Sequence, residues 1–432
     1  MSEIVDILSL DHEGHGIARI DGKVTFVDDA LAGERAEITV YRKHAKYNSA
    51  YAVSILKASA QRTTPRCEYF GRCGGCSMQH LEASAQVAAK QRVLEENLAR
   101  IGKVTPGVVM RPLHGPSWAY RTRARMSARF VDKKGGVLVG FREKRSSFIT
   151  DMSSCEVLTP DVSALIQPLR EMMVHLSNAS RIPQVEIAVG EHITVLLFRL
   201  LEPWSDDDRT LVRSFAEQHQ IQIWEQSKGP DTVKPFWPDI APELSYSLPE
   251  FGLTMPFRPT DFTQVNVAIN RALVSRAMRL LQPKAGERIA DMFCGLGNFS
   301  LPIATSGADV IGIEGSPELV ARARENALRN KLPNAHFVVD NLFEMTPEKF
   351  ATLGHIDKLL IDPPRSGASE LVKSLPDSGA PYRIVYISCD AATLARDADE
   401  LCHNKGYRLK AAGVANMFPH TAHVESIALF ER

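Results

Sequence analysis

The 432-residue sequence predicts a three-part α/β chain: a small β-barrel, a mixed α+β middle and a doubly wound parallel sheet at the end. Three observations carry this reading. The chain is too long for one ordinary hydrophobic core. Its first 58 residues are short strand-like runs broken by turn residues, and from about residue 263 the pattern changes to strand–helix alternation. Hydrophobic residues make up 44% and charged residues 24%, the balance of a soluble globular chain. No apolar run reaches the roughly 20 residues of a spanning helix, and the N-terminal MSEIVDILSLDHEG has acids where a signal peptide has bases, so a cytoplasmic protein with no membrane partner is expected. In that reducing compartment, seven cysteines point to metal binding, catalysis or burial rather than disulfides.

In residues 1–58, Asp21-Gly22 is a two-residue hairpin signal between IARI and KVTFV, and Ala32-Gly33 marks a turn before AEITVY. Five or so short strands in so few residues suggest a small closed barrel of the oligonucleotide-binding type. The run Tyr41–Tyr47, YRKHAKY, interleaves bases and aromatics as phosphate contact and base stacking require.

Residues 59–262 form the middle part. Formal net charge is zero, 51 Lys/Arg against 51 Asp/Glu, yet Lys103 to Arg145 holds eleven bases against Asp132 and Glu143. Such a local excess is either a phosphate-binding footprint or a solvated surface. Within it, alternation in YRTRARMSARF puts Arg121, Arg123, Arg125 and Arg129 on one strand face, a poor core and a good surface for phosphates. A helix is expected over about 81–100, with helices at SALIQPLREMMVHL and DDDRTLVRSFAEQH and strands at QVEIAVG, ITVLLFRL and IQIWEQ. The segment SKGPDTVKPFWPDIAPE reads as a Pro-rich connection. Cys67, Cys73 and Cys76, with Cys155 after a long gap, read as a metal site; spacing alone leaves zinc and an iron–sulfur cluster open. The C-x3-C-x2-C spacing of radical enzymes is absent.

In residues 263–432 the strands RIADMF, ADVIGIE, AHFVVD, DKLLID and RIVYIS are apolar throughout and end at turns, the signature of a Rossmann-like parallel sheet whose ligand lies beyond the strand C-termini. Cys294-Gly295-Leu296-Gly297-Asn298 follows the first strand, Glu314 ends the second and Asp340-Asn341 the third. Pro302 stands near where the third glycine of a dinucleotide fingerprint would fall. Glu314 is placed for ribose hydroxyls and Asn341 for an adenine, so S-adenosyl-L-methionine is favoured over a nicotinamide cofactor. Cys294 reads as small-residue packing.

Asp362-Pro363-Pro364-Arg365 closes the fourth strand as a rigid platform from which Asp362 can hold a base by its N–H edge. Amine-methylating enzymes place an aromatic after the prolines; here it is Arg365. Cys389 ends the fifth strand. A lone strand-end cysteine is usually buried packing, but this one faces the expected methyl donor with Asp362 one strand away. A thiolate there can add to C6 of uracil and make C5 nucleophilic. A base must then remove the C5 proton, and Glu425 is the candidate, with His420 and His423 as possible proton partners.

DMFCGLGNFSLP, IDPPRSGA, ISCDAATLARD and MFPHTAHVESIALF together resemble the catalytic motifs of the RNA uracil-C5 methyltransferases, and the resemblance covers the whole chain. It implies Cys389 as nucleophile and Glu425 as proton acceptor. It places Gln264, Phe293, Asn298, Glu314, Asn341 and Asp362 at the S-adenosyl-L-methionine site. Residues 1–58 look like the RNA-binding TRAM barrel. Cys67, Cys73, Cys76 and Cys155 resemble the [4Fe-4S] site of the ribosomal RNA members, implying a single-stranded or loop region of 23S rRNA as partner. The sequence departs from the family in having Asp390-Ala391 after the nucleophile instead of Asn-Pro, and Asp390 should oppose thiolate formation. Nothing in the sequence suggests an obligate dimer, so a monomer is expected. The same chemistry on another rRNA or tRNA uridine, and an RNA-folding factor with secondary methylation, are the competing readings.

Overall fold

The computed structural model describes residues 2–432, the side chain of Lys134 excepted. The N-terminal sheet contains β1 (Ser2–Asp6), β2 (Ser9–Leu10), β3 (Gly16–Ile20), β4 (Lys23–Asp28), β5 (Arg35–Lys43) and β6 (Tyr47–Lys57), in the order β1-β5-β6-β4-β3-β2. It curls far enough for β1 to meet β3, enclosing Val5, Ile7, Ala18, Val27, Ile38 and Ala50. The hairpin expected at Asp21-Gly22 is present, both residues at positive φ (49° and 79°) as a two-residue turn demands.

The middle part begins with α1 (Ala83–Arg100) and β7 (Val108–Val109). Its sheet contains β8 (Arg123–Val131), β9 (Gly136–Gly140), β10 (Gln184–Val189), β11 (Thr194–Arg199), β12 (Gln222–Gln226) and β13 (Lys234–Trp237). Helices α2 (Pro160–Val174) and α3 (Asp206–His219) contribute Ile166, Leu169, Val212 and Phe215 to the core beneath that sheet. The Pro-rich connection is not structureless: β13 lies within it and pairs antiparallel with β12. It is an edge strand, where Pro235 interrupts no inner ladder.

The last part opens with the hairpin of β14 (Ser245–Leu248) and β15 (Leu253–Pro256), then α4 (Val267–Leu281). The five parallel strands follow: β16 (Arg288–Met292), β17 (Asp309–Glu314), β18 (Ala335–Val339), β19 (Lys358–Ile361) and β20 (Arg383–Ser388), with α5 (Ser300–Ala304), α6 (Pro317–Arg329), α7 (Pro347–Thr352), α8 (Ser369–Ser374) and α9 (Ala391–Asp399) between or after them. The antiparallel pair β21 (Arg408–Ala415) and β22 (Glu425–Glu431) completes the sheet β18-β17-β16-β19-β20-β22-β21-β7. The chain reverses direction across the sheet beside β16, the switch point at which doubly wound folds bind ligands.

The parts interlock. Val87, Leu94 and Leu98 of α1 pack with Leu394 and Ala395 of α9, β7 joins the edge of the last sheet, and Tyr246 and Met255 of the β14–β15 hairpin share a core with α4. The arginine face is split by the same interlock. Arg125 stays exposed beside Glu186, but Arg123 donates to the Pro259 carbonyl and lies over the Phe257 ring, 5.9 Å from its centroid. Among the described residues no helix is long and apolar enough to cross a membrane.

Candidate active site

The strand ends beyond β16–β20 enclose a cavity of about 580 Å³. Gln264, Phe293, Asn298, Glu314, Asn341, Asp362, Cys389 and Glu425 all line it, brought together from 162 residues of sequence by one sheet edge. The β16–α5 turn makes room. Gly295 and Gly297 adopt φ of 55° and 95°, which side-chain-bearing residues resist, and a Cβ built on Gly295 would meet nothing within 4 Å. Bare backbone therefore borders the cavity.

Several lining groups are fixed before any ligand arrives. Glu314 accepts from the Gly295 amide (3.1 Å) and the Ser316 amide (3.0 Å), which aims its carboxylate across the turn. The Asn298 amide exchanges two hydrogen bonds with Asn270 (2.9 and 3.0 Å) and accepts a third from the Tyr246 hydroxyl (2.8 Å). Asn341 caps its own turn by accepting from the Phe343 amide (3.1 Å). Phe343, with its ring 5.6 Å from that of Phe293, and Phe262 add aromatic walls that the sequence reading missed. Phe343 lies two residues after Asn341 and was detectable as an apolar residue just past a strand end.

The site is crowded with carboxyls. Asp291, buried at the end of β16, is raised to about 7 by burial, offset by its bond from Ser300 Oγ, with Asp362 and Glu314 repelling it. Burial lifts Asp362 to about 7 as well. Glu425 is pushed well above the usual carboxylate range by burial and by the nearby Asp362 charge, and its Oε1 is buried with no hydrogen-bond partner. These carboxyls repel one another in a low-dielectric pocket, so a cationic ligand between them would relieve several unfavourable interactions together.

Cys389 is half-buried at the end of β20. Burial raises its thiol to about 11; Glu425 and Asp362 push the same way and Arg365 opposes them. The expected opposition from Asp390 takes a different form. Its carboxylate caps α9, accepting from the Ala392 amide (2.9 Å) and the Thr393 amide (3.0 Å), and the acids acting on the thiol are Glu425 and Asp362. Cys389 also borders a second opening. With Arg365 and His423 it lines both the donor-sized cavity and a groove of about 920 Å³ running to Asp11–Glu13 of the barrel and Gly74-Gly75 of the cysteine loop. His423 faces this junction. His420 does not: it is buried under Trp118, ring centroids 3.8 Å apart, and lines neither opening.

The groove continues over the barrel. A further concavity is lined by Tyr41, Tyr47, Phe26, Arg142, Lys144 and Arg145 and shares Asp11, Gly74 and Gly75 with the first. Arg145 lies 4.6 Å over the Tyr41 ring and pairs with Asp28. His15 is clamped between Asp11 (3.0 Å) and Asp28 (3.2 Å), and these hydrogen bonds raise it to about 10, so it is an imidazolium fixing the turn at the groove floor.

Cys67, Cys73, Cys76 and Cys155 converge at the edge of the middle core. Burial raises the Cys67, Cys76 and Cys155 thiols, the latter two to about 12 and 11, and the other cysteines of the group add repulsion. A bound cation reverses both penalties. The thiols nevertheless stand apart: among the described residues, no three of them place their sulfurs within 4.8 Å of one another. Tetrahedral zinc at 2.3 Å from each thiolate would require roughly 3.8 Å between sulfurs.

Comparison with known proteins agrees with this architecture. Residues 83–432 match the family model described as tRNA (Uracil-5-)-methyltransferase, and residues 4–53 match the TRAM domain. The chain is 79% identical over 432 residues, the whole of both chains, to the 23S rRNA (uracil(1939)-C(5))-methyltransferase RlmD of Thiobacillus denitrificans. It is 58% identical over 427 residues, 99% of each chain, to RlmD of Aromatoleum aromaticum. The crystal structure of the Pyrococcus abyssi tRNA (uracil-54, C5)-methyltransferase with S-adenosyl-L-homocysteine has the same fold, with a TM-score of 0.74, 24% identity and full coverage of both chains.

Proposed function

Because this chain belongs to the tRNA (Uracil-5-)-methyltransferase family, we propose that it methylates C5 of the 23S rRNA uridine for which its relatives are named, uracil 1939, from S-adenosyl-L-methionine. One observation carries the mechanism: Cys389 lines both the cavity at the strand ends and the groove that runs to the barrel, so one thiol borders both a donor site and an RNA approach.

Gln264, Phe293, Asn298, Glu314, Asn341 and Asp362 hold the donor, the aromatic rings and Asn341 at the adenine end and Glu314 at the ribose. When bound, S-adenosyl-L-methionine supplies an electrophilic methyl group on a sulfonium. The cationic donor suits the mutually repelling carboxyls around it. Cys389 gives its thiol proton to solvent in the groove and its Sγ bonds to C6 of the uracil; the C5–C6 π pair moves to give an enolate, and C5 takes the methyl as the sulfonium–methyl bond breaks and leaves a neutral thioether. Glu425 Oε1, buried and unpartnered, then takes the C5 proton; the C6–S bond breaks and the thiolate departs. Asp362 also faces the base's N–H edge. A stacked base cannot expose C6 to sulfur and C5 to a methyl donor together, so the uridine enters flipped out. The groove over Tyr41, Tyr47 and Arg142–Arg145 holds the adjoining single strand through stacking and phosphate contact.

Cys67, Cys73, Cys76 and Cys155 hold a [4Fe-4S] cluster that organises the middle part rather than taking part in methyl transfer. Four thiolates are the ligand set such a cluster takes. Iron and acid-labile sulfide at about four each per chain are expected in anaerobically purified protein; stoichiometric zinc would contradict the assignment.

The Cys389→Ala protein tests the methylation reading. It should bind the rRNA fragment as the parent does and form no 5-methyluridine. Product from that variant would refute the nucleophile.

A further inference from the structure

Residues 416–424 form the loop between β21 and β22; it carries His423 to the cavity and runs directly into Glu425, the first residue of β22, which pairs with Ala415. It is anchored from outside the catalytic sheet. Lys90 of α1, only 2% exposed, donates to Asn416 Oδ1 (2.7 Å) and to the Phe418 carbonyl (2.8 Å). Gln86, one turn earlier and 1% exposed, grips His420 twice: its Oε1 accepts from the His420 amide (2.8 Å) and its Nε2 lies 3.1 Å from the ring Nδ1. The His420 carbonyl accepts from the amides of Ser77 (2.9 Å) and Met78 (3.0 Å), the two residues after Cys76, and the Tyr120 hydroxyl donates to the Pro419 carbonyl (3.1 Å). His420 holds a left-handed backbone, φ 64°, which a residue bearing a Cβ keeps only where its surroundings over-determine it.

A buried lysine with no carboxylate partner is costly, and burial pushes Lys90 down to about 7. A methionine would fill the same space without that cost. For loop anchorage, however, the amine supplies what no apolar residue can: two donors aimed at two loop oxygens. Neither Lys90 nor Gln86 lines the cavity, so neither touches the reacting atoms.

We propose that Lys90 and Gln86 are positioning residues for the proton-removal step: helix α1 holds loop 416–424, which sets the start of β22 so that Glu425 meets C5, whereas none of their side-chain hydrogen bonds reaches β20 or Cys389. This rests on Glu425 being the proton acceptor. It bears on one half of the reaction, since adduct formation needs the thiol and adduct breakdown needs the carboxylate that follows the anchored loop.

Lys90→Met, Gln86→Leu and the control Glu425→Gln are compared with the parent on a uridine-containing rRNA fragment. Melting temperature, KM for RNA, kcat and denaturation-resistant protein–RNA adduct are measured. Lys90→Met should remain folded, its melting temperature measured alongside, and keep KM within about twofold. Its kcat should fall about tenfold or more, since small misplacements of a reacting group cost up to about a hundredfold, and adduct should accumulate on ordinary uridine as it does with Glu425→Gln. Gln86→Leu should behave in the same direction. Adduct in Glu425→Gln but in neither helix variant overturns the proposal, as does parental kcat per folded molecule in both. Absence of adduct in Glu425→Gln removes the role of Glu425 and this proposal with it, a result distinct from the other two.

Discussion

At the scale of single residues, the site is organised by the burial of acids. Asp362 sits near 7 and Glu425 well above its usual range because burial penalises their charged forms, and the Asp362 charge pushes Glu425 further. A cationic donor favours those charged forms and lowers both values, so donor binding should release protons. Below about pH 7 release from Asp362 opposes binding, and above it Asp362 is already ionised. The Asp362 contribution should therefore raise donor affinity about tenfold per pH unit below that value and level off above it. Calorimetry in two buffers of different ionisation enthalpy measures the release directly; heats independent of buffer would contradict it. Asp390 tests a smaller claim. Its carboxylate caps α9, so Asp390→Ala should cost about 1 kcal/mol of stability, read as a lower melting temperature, while Asp390→Asn should keep most of it.

At the scale of elements, the five parallel strands were legible because each is a short apolar run ending at a turn, and Cys294, Glu314, Asn341, Asp362 and Cys389, expected at their ends, line the cavity. Other features were hidden for physical reasons. β13 was masked by its prolines, which an edge strand tolerates. The β14–β15 hairpin and α1 read as parts of the middle but pack on the last sheet, because sequence order does not say which neighbour covers an amphipathic face. Period-two alternation correctly grouped the arginines of β8, yet could not show that Arg123 bends into the junction against Phe257. His420 looked like a proton partner by proximity in sequence to Glu425; its burial under Trp118 makes it an anchor instead. The cysteine loop belongs to this scale too, since Ser77 and Met78 bond to His420. Replacing Cys76 with serine should remove bound iron and lower the melting temperature markedly, because metal-binding energy in such a site is folding energy. An iron-free protein of unchanged stability would show that the cysteines organise nothing.

At the scale of the whole molecule, the three parts converge on one sulfur atom. The barrel and the basic segment of the middle part line a groove, the last sheet lines a cavity, and Cys389 belongs to both. A chain of zero net charge binds a polyanion on this account through a local concentration of bases and aromatics, so affinity for the rRNA fragment should fall steeply with salt. Arg145→Ala and Tyr41→Ala should weaken RNA binding without altering methylation at saturating RNA; an effect confined to kcat would place them in the catalytic machinery instead. The most direct test of the central claim uses RNA with 5-fluorouridine at the target position, incubated with S-adenosyl-L-methionine. Fluorine leaves no C5 proton to remove, so the enzyme should stop as a covalent complex, and peptide mass mapping should place the methylated nucleotide on Cys389. A complex mapped to another residue, or none formed by protein that methylates ordinary uridine, would contradict it.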